Sequence, residues 1–327
     1  SSAASDVYKR QQYLSKQDRA FMTRLVDGTI EYMLQLDYII DSFSKTKVRK
    51  MKPFIRNLLR MSVYQIKYMD AVPDSAVCNE AVKLAKRHKF AQLSGFVNGV
   101  LRNIARNIDS VQFDTLSIQY SMPQWIVDRF VAAYGEKKAE EIFKAFHSKS
   151  TISIRTNLTR CTPDELRVML EAEGVTVTAV DELDYAFVIS GFDYLNGLQS
   201  FRDGLFYVQD ISSMLVAQTA APKKGDYVID VCAAPGGKST HIAELLQGSG
   251  HVLARDLTDN KVDMIEENIE RHGLNNMSAE VWDATVPDAD SAGKADILIC
   301  DLPCSGLGVL GRKKDIRYKM TPESVDE

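Results

Sequence analysis

DYVIDVCAAPGGKST, residues 226–240, passes from an apolar run through two adjacent glycines into a stretch that suits a helix. The β-branched and aromatic residues at 227–231 predict a buried strand. Gly236 and Gly237 permit a tight turn and a close backbone approach to a ligand. The first N–H groups of a helix over 239–246 then suit a carboxylate or phosphate. Downstream the same alternation repeats: a strand at 251–255, a helix at 261–272, and strands at 278–282 and 295–300. It predicts a doubly wound, Rossmann-like α/β sheet with a parallel core, whose ligands bind at the C-terminal edge of the strands.

Each of these strands ends in polar residues at that edge. The first delivers the loop Cys232, Ala233, Ala234, Pro235, Gly236, Gly237 and Lys238. The second ends at Asp256, twenty residues past Gly236, an offset that suits an acid accepting from ribose hydroxyls. The third ends at Asp283 and the fourth at Asp301. A helix cap or a turn residue is the alternative reading of any one of these acids. The G-x-G-x-x-G pattern is absent and Pro235 sits in the loop, so a dinucleotide fits poorly. Three carboxylates are acceptors for a ligand with ribose, an adenine amine and an ammonium group, which favours S-adenosylmethionine.

Composition sets the context. Hydrophobic residues are 45% and charged residues 26% of 327, a globular balance long enough for two or three domains. No apolar run approaches a membrane span, and no signal peptide is evident. Five scattered cysteines, an odd number, argue against a disulfide framework and for a reducing, cytoplasmic setting. Residues 1–112 hold 19 basic against 10 acidic side chains, whereas the remainder holds 21 against 34. A basic module facing a polyanion such as RNA, joined to an acidic module, is expected. The segments 45–52 and Arg312-Lys313-Lys314 are candidates for phosphate contact. Cys300 and Cys304 lack a second pair or a histidine cluster, so no metal is expected. The residues at 1–11 read as a non-native leader, and Thr321-Pro322 reads as a helix start just before the last residue, so a fragment is expected at both ends.

The front of the chain is helical. Phe21, Leu25, Ile30, Met33, Leu34, Leu36 and Ile40 recur at helical spacing, and Pro73 breaks a later amphipathic run. Residues 113–204 mix helices, at 122–134 and on to 146, with strands at 151–157, 175–180 and 185–189 and a helix from 162 to Gly174. Arg155 and Asn157 are expected on a solvated strand face, with RNA contact as the alternative. The expected organisation is therefore an all-α bundle at 12–110, a small α+β connecting domain at 113–204 and the α/β domain at 205–327.

VPDSAVCNEAVKLAKRHKF followed by GFVNGVLRNI resembles the NusB family of RNA-binding helical domains. CAAPGGKSTHIAELL and ILICDLPCSGLG together resemble the NOL1/NOP2/Sun family of RNA cytosine-C5 methyltransferases, in its RsmB/Sun branch. The resemblance implies an S-adenosylmethionine-dependent enzyme that forms 5-methylcytosine in 16S ribosomal RNA, at cytosine 967; a monomer is expected. It places Cys232–Lys238 around the methionine part of the cofactor, Asp256 on the ribose, Asp283 near the adenine, and Asp301 and Cys304 against the target base. It gives the attack on C6 to a second cysteine in a Thr-Cys motif, and the release of product to Cys304. The chain is expected to stop before that motif and so to be inactive by itself. Leu302 stands where the family often has alanine. Cys300 is expected to pack as a small apolar group. A non-catalytic RNA-binding or ribosome assembly factor is the alternative function.

Overall fold

A computed structural model describes residues 15–148 and 151–326; the expected leader at 1–11 lies outside them. Two compact units divide the described chain. One holds the residues before 149 together with those from 305 onward, and the other runs from 151 to 304.

The first unit opens with five helices, α1 (Lys16–Glu31), α2 (Met33–Phe43), α3 (Pro53–Tyr68), α4 (Asp74–Arg87) and α5 (Ser94–Asn107). The Ser15 hydroxyl caps α1 by accepting from the Asp18 N–H, and Pro53 occupies the first turn of α3, where no amide is needed. Leu36, Ile39, Leu59, Val63, Val97, Leu101 and Ile104 are all fully buried and form one core. Each contributes about 1.5–3 kcal/mol by leaving water. The Tyr64 ring lies where a Cβ on Gly28 would stand, so only glycine lets α1 approach it. Two further helices, α6 (Gln124–Tyr134) and α7 (Glu136–Phe146), build a second core from Met122, Ile126, Ala139 and Phe143.

Leu310, within the stretch expected as the α/β domain at 205–327, joins that second core. Residues from 305 onward pack with the helices rather than with the parallel sheet. Arg317 is fully buried and donates to the Leu310 carbonyl at 2.9 Å. The Tyr318 hydroxyl donates to the Glu31 carbonyl at 3.0 Å, and the Lys314 ammonium meets the buried Glu31 carboxylate at 2.5 Å. His147 faces the other oxygen of Glu31 at 3.1 Å.

In the second unit, β1 (Ile152–Thr156), β2 (Thr176–Val180), β3 (Leu183–Ser190) and β4 (Phe206–Val208) form an antiparallel sheet in the order β2-β3-β1-β4. Helix α8 (Pro163–Ala172) packs on it and starts with a capping box in which Thr162 and Glu165 satisfy each other's amides. Helix α9 (Ile211–Ala220) follows. Then come β5 (Tyr227–Asp230), α10 (Gly237–Leu245), β6 (His251–Asp256), α11 (Asp259–His272), β7 (Met277–Val281) and β8 (Ile297–Ile299). The last four strands are parallel in the order β7-β6-β5-β8, as the alternation predicts. Val228, Val252, Ala254, Ile242 and Ile265 are buried between this sheet and its helices.

Three expectations are corrected here. Arg155 and Asn157 do not lie on a solvated face: they are 1% and 0% exposed. Cys300 is exposed rather than packed, because β8 ends one residue earlier, at Ile299. Finally the residues of β4, expected within the α/β domain at 205–327, pair with β1 in the antiparallel sheet, so that sheet extends past residue 204.

Candidate active site

The C-terminal edge of the parallel sheet carries the loop after β5. Asp230 ends the strand buried, where it accepts from the Ser239 hydroxyl at 2.6 Å and from the Cys232 amide at 3.4 Å. Burial outweighs those bonds and holds its carboxyl above the usual carboxylate range. The loop itself is fixed from three sides. The Ala234 amide donates to Asp256 Oδ2 at 2.9 Å, and the Pro235 carbonyl accepts from the Tyr207 hydroxyl at 3.0 Å and from Asn268 Nδ2 at 2.9 Å. Gly236 turns at φ 100°, a conformation that side-chain-bearing residues avoid. A Cβ on Gly237 would stand 3.1 Å from the Tyr207 ring, so the ring rests directly on backbone.

Asp256, at the end of β6, is buried and held at both oxygens: Ala234 takes one, and the Leu257 amide and Lys261 Nζ each reach the other at 2.8 Å. Burial raises its pKa, but the Lys261 ammonium and the two amides more than offset it, so the carboxyl stays below its ordinary value. Asp301, two residues past β8, is exposed and bonds the Lys238 ammonium at the start of α10. Asp283 follows β7 and is also exposed; its Oδ1 accepts from the amide of Thr285 at 2.9 Å and from its hydroxyl at 2.7 Å. Those bonds hold its carboxyl low and make it a turn residue, the alternative reading of any single acid. The Trp282 amide donates to the Asp256 carbonyl at 2.9 Å, which sets the ends of β6 and β7 side by side.

Two cysteines belong to the segments that follow β5 and β8. Cys304 is exposed, three residues beyond Asp301. Cys232 is half-buried; burial first, and then Asp256 and Asp230, push its thiol pKa up. A cavity of about 170 Å³ opens here, lined by Cys232, Pro235, Gly237, Lys238 and Asp301 together with Asp210. Asp256 reaches it only through Ala234, and Asp283 does not line it. Sequence reading missed the wall supplied by Tyr207, Gln209, Asp210 and Ser213. These come from β4 and the start of α9, which carry no pattern linking them to the glycine loop.

Arg155 positions the far side of α10. Its Nε donates to Gln209 at 2.8 Å, its Nη2 to Thr240 at 3.1 Å and its Nη1 to Glu244. Asn157 donates to the carbonyls of Gly204 and His272, at 2.9 and 3.2 Å. Both residues serve packing within this unit, which leaves neither free for RNA. Among the described residues, no three His, Cys, Asp or Glu side chains are grouped to hold a metal ion, and no helix is long and apolar enough to cross a membrane.

The donor set defines what the rim can hold. It offers carboxylates at the ends of β6 and β8, a glycine turn that admits a close ligand, and the amides that open a helix. That set fits a ligand with hydroxyl and amine donors at one end and a carboxylate at the other.

Known proteins match along the chain. Residues 1–106 match the NusB family, residues 122–192 the ferredoxin-like domain of RsmF/B-like methyltransferases, and residues 217–327 the family described as 16S rRNA methyltransferase RsmB/F. The probable ribosomal RNA small subunit methyltransferase B of Bacillus subtilis is 38% identical over 318 residues, which are 95% of this chain and 70% of that protein. The corresponding protein of Synechocystis sp. is 33% identical over 320 residues, 95% of this chain and 72% of that one. The crystal structure of PH0851 superposes with a TM-score of 0.77 at 22% identity, over 98% of this chain and 74% of that one, a likeness of fold.

Proposed function

Because this chain belongs to the ribosomal RNA small subunit methyltransferase B family, we propose that it methylates C5 of a cytosine in 16S ribosomal RNA, the nucleotide numbered 967, with S-adenosylmethionine as donor. The observation that carries this reading is one rim with two bonded clamps, Asp256 on Ala234 and Lys238 on Asp301, with an exposed Cys304 three residues past Asp301 in sequence. The amides that open α10 and the turn at Gly236 hold the amino-acid end of the donor. Asp256 accepts from its ribose, its carboxylate already aimed by two backbone amides. Asp283 serves the adenine edge. When bound, S-adenosylmethionine supplies an electrophilic methyl group.

The target base leaves its stack to reach the rim. A thiolate adds to C6, forming an S–C6 bond while N3 takes up a proton; Asp301 accepts a hydrogen bond from that ring nitrogen. The C5–C6 electron pair becomes available at C5, which would take the methyl group as the donor's S–CH3 bond breaks to leave S-adenosylhomocysteine. A base then removes the C5 proton, the S–C6 bond breaks, N3 loses its proton and the thiolate and aromatic ring return. Following the family's pattern, the attacking thiolate is that of the Thr-Cys motif, and Cys304 assists the breakdown of the adduct.

RNA is held electrostatically by the segment at 45–52, where Lys45, Lys47, Arg49, Lys50 and Lys52 are exposed around buried Val48 and Met51. In the second basic segment Arg312 and Lys313 are exposed, whereas Lys314 is committed to Glu31. The protein acts in the cytoplasm, as a monomer and without a metal. The test is transfer of a labelled methyl group to unmodified 16S ribosomal RNA by the product of the complete gene, followed by nucleoside analysis. Label in 5-methylcytidine supports the proposal; label on N4 overturns it, and RNA binding without transfer favours an assembly factor.

A further inference from the structure

The cavity of about 170 Å³ at the rim is lined by two polar residues to which the proposed reaction gives no task, Asp210 and Ser213. Asp210 immediately precedes α9, and Ser213 lies in its first turn; both are half-buried. The Asp210 carboxylate makes no bond to the amides of that turn, so it does not act as a helix cap. The backbone that carries the two residues is held firmly. The Gln209 amide donates to the Ser153 carbonyl at 3.1 Å, and the Ser153 hydroxyl donates to the Gln209 carbonyl at 2.7 Å. The Gln209 side chain accepts from Arg155 Nε at 2.8 Å and donates to the Ser213 carbonyl at 3.2 Å. A wall fixed in this way meets a ligand with little further loss of freedom.

Size and lining narrow what the cavity takes. Its volume is below the range of about 300–1,000 Å³ usual for a whole small molecule, so it suits one end of a larger ligand. Asp256 and Asp283, the acids given to the ribose and the adenine, do not line it, whereas Gly237 and Lys238 at the start of α10 do. The end of S-adenosylmethionine that meets α10 is its amino acid, which carries one ammonium and one carboxylate. Among the acids on the cavity, Asp230 is bonded to the Ser239 hydroxyl and the Cys232 amide, and Asp301 to the Lys238 ammonium. Asp210 adds a third carboxylate. Its several acceptor positions let it take an ammonium in addition to any bond within the protein. The Ser213 hydroxyl is the complementary group, able to donate to a carboxylate.

We infer that Asp210 and Ser213 hold the amino-acid end of S-adenosylmethionine, Asp210 accepting from its ammonium and Ser213 donating to its carboxylate. The inference rests on the proposed placement of the donor along this rim. The test is calorimetry on the whole protein with two probes, S-adenosylhomocysteine and 5′-methylthioadenosine. The second keeps the adenosine and the sulfur but lacks the amino acid. Asp210→Asn and Ser213→Ala should each weaken S-adenosylhomocysteine about three- to tenfold and leave methylthioadenosine within about twofold. Asp256→Asn, aimed at the ribose, should weaken both probes. Melting temperatures equal to the parent's show that the fold of each variant is intact. The inference is overturned if Asp210→Asn and Ser213→Ala weaken the two probes alike, if they weaken neither, or if the parent binds both probes equally tightly. Labelled-methyl transfer to RNA separates this inference from the proposed reaction. Selective weakening without transfer overturns the reaction alone, and transfer with unselective variants overturns the inference alone.

Discussion

The guanidinium of Arg155 on β1 and the carboxylate of Glu244 on α10 form a buried ion pair that joins the antiparallel sheet to the helix behind the glycine loop. Burial first, with Arg155 opposing it, pushes the Glu244 carboxyl up to about 7. Neither group has water to fall back on. Arg155→Met should therefore lower stability by about 3–5 kcal/mol, because it leaves a carboxylate buried without its counter-charge. Urea unfolding measures this, and adding Glu244→Met should recover most of the loss. A single-variant cost under about 1 kcal/mol would mean that the pair does not hold the sheet and helix together.

His272 makes the fold sensitive to acid. It is fully buried, and burial holds its pKa down to about 4, even though the carbonyls of Asn268 and Phe206 both face the ring. The neutral ring has one proton and donates to only one of them. The folded value lies below the unfolded one, about 6.5, so below that pH the unfolded chain takes a proton that the folded chain refuses. Stability present at neutral pH should decline between about pH 6.5 and pH 4, by about 3 kcal/mol. Denaturant melts at pH 7 and pH 4.5 should show the difference, and His272→Gln should reduce it.

At the rim, the two acids that follow β6 and β7 should behave unequally. Asp256→Asn keeps the shape but halves the acceptors aimed by Ala234 and Leu257, and should weaken S-adenosylhomocysteine about tenfold or more. Asp283→Asn should cost less than about threefold, since an exposed turn-forming carboxylate has water as an alternative partner. Calorimetric titration of both variants checks this, and an equal loss in each would remove the distinction.

Cys304→Ala tests the division of labour between thiols. Donor affinity should stay within about twofold, because Cys304 does not line the rim cavity. With the complete gene product, turnover should fall and a denaturation-resistant RNA–protein adduct should build up on gels. If the adduct disappears instead, Cys304 is the attacking thiol.

The parallel sheet was legible because its strands are short apolar runs closed by polar residues, and because two glycines mark the turn into α10. What escaped depends on contacts distant in sequence. Arg155 sits in an alternating strand whose polar positions suggest solvent, yet its partners Gln209, Thr240 and Glu244 lie 54 to 89 residues away. Nothing local distinguishes such a residue from a solvated one. The strand β4 is three residues long, too short for a period, and α9 buries only Met214 and Ala217. Cys300 was misplaced by a single residue of strand end, which is enough to turn a side chain from core to solvent.

The place of β4 also limits how the protein can be cut. A truncated chain beginning at residue 205 would carry off β4 as a lone three-residue strand, stripped of the ladder it makes with β1. It would expose Phe206 and Tyr207, both buried in the intact chain. The tyrosine would then lose the support that keeps its ring against the glycine turn. Trimming to the apparent catalytic half would thus loosen the loop it was meant to isolate, and a minimal fragment should begin ahead of Ile152.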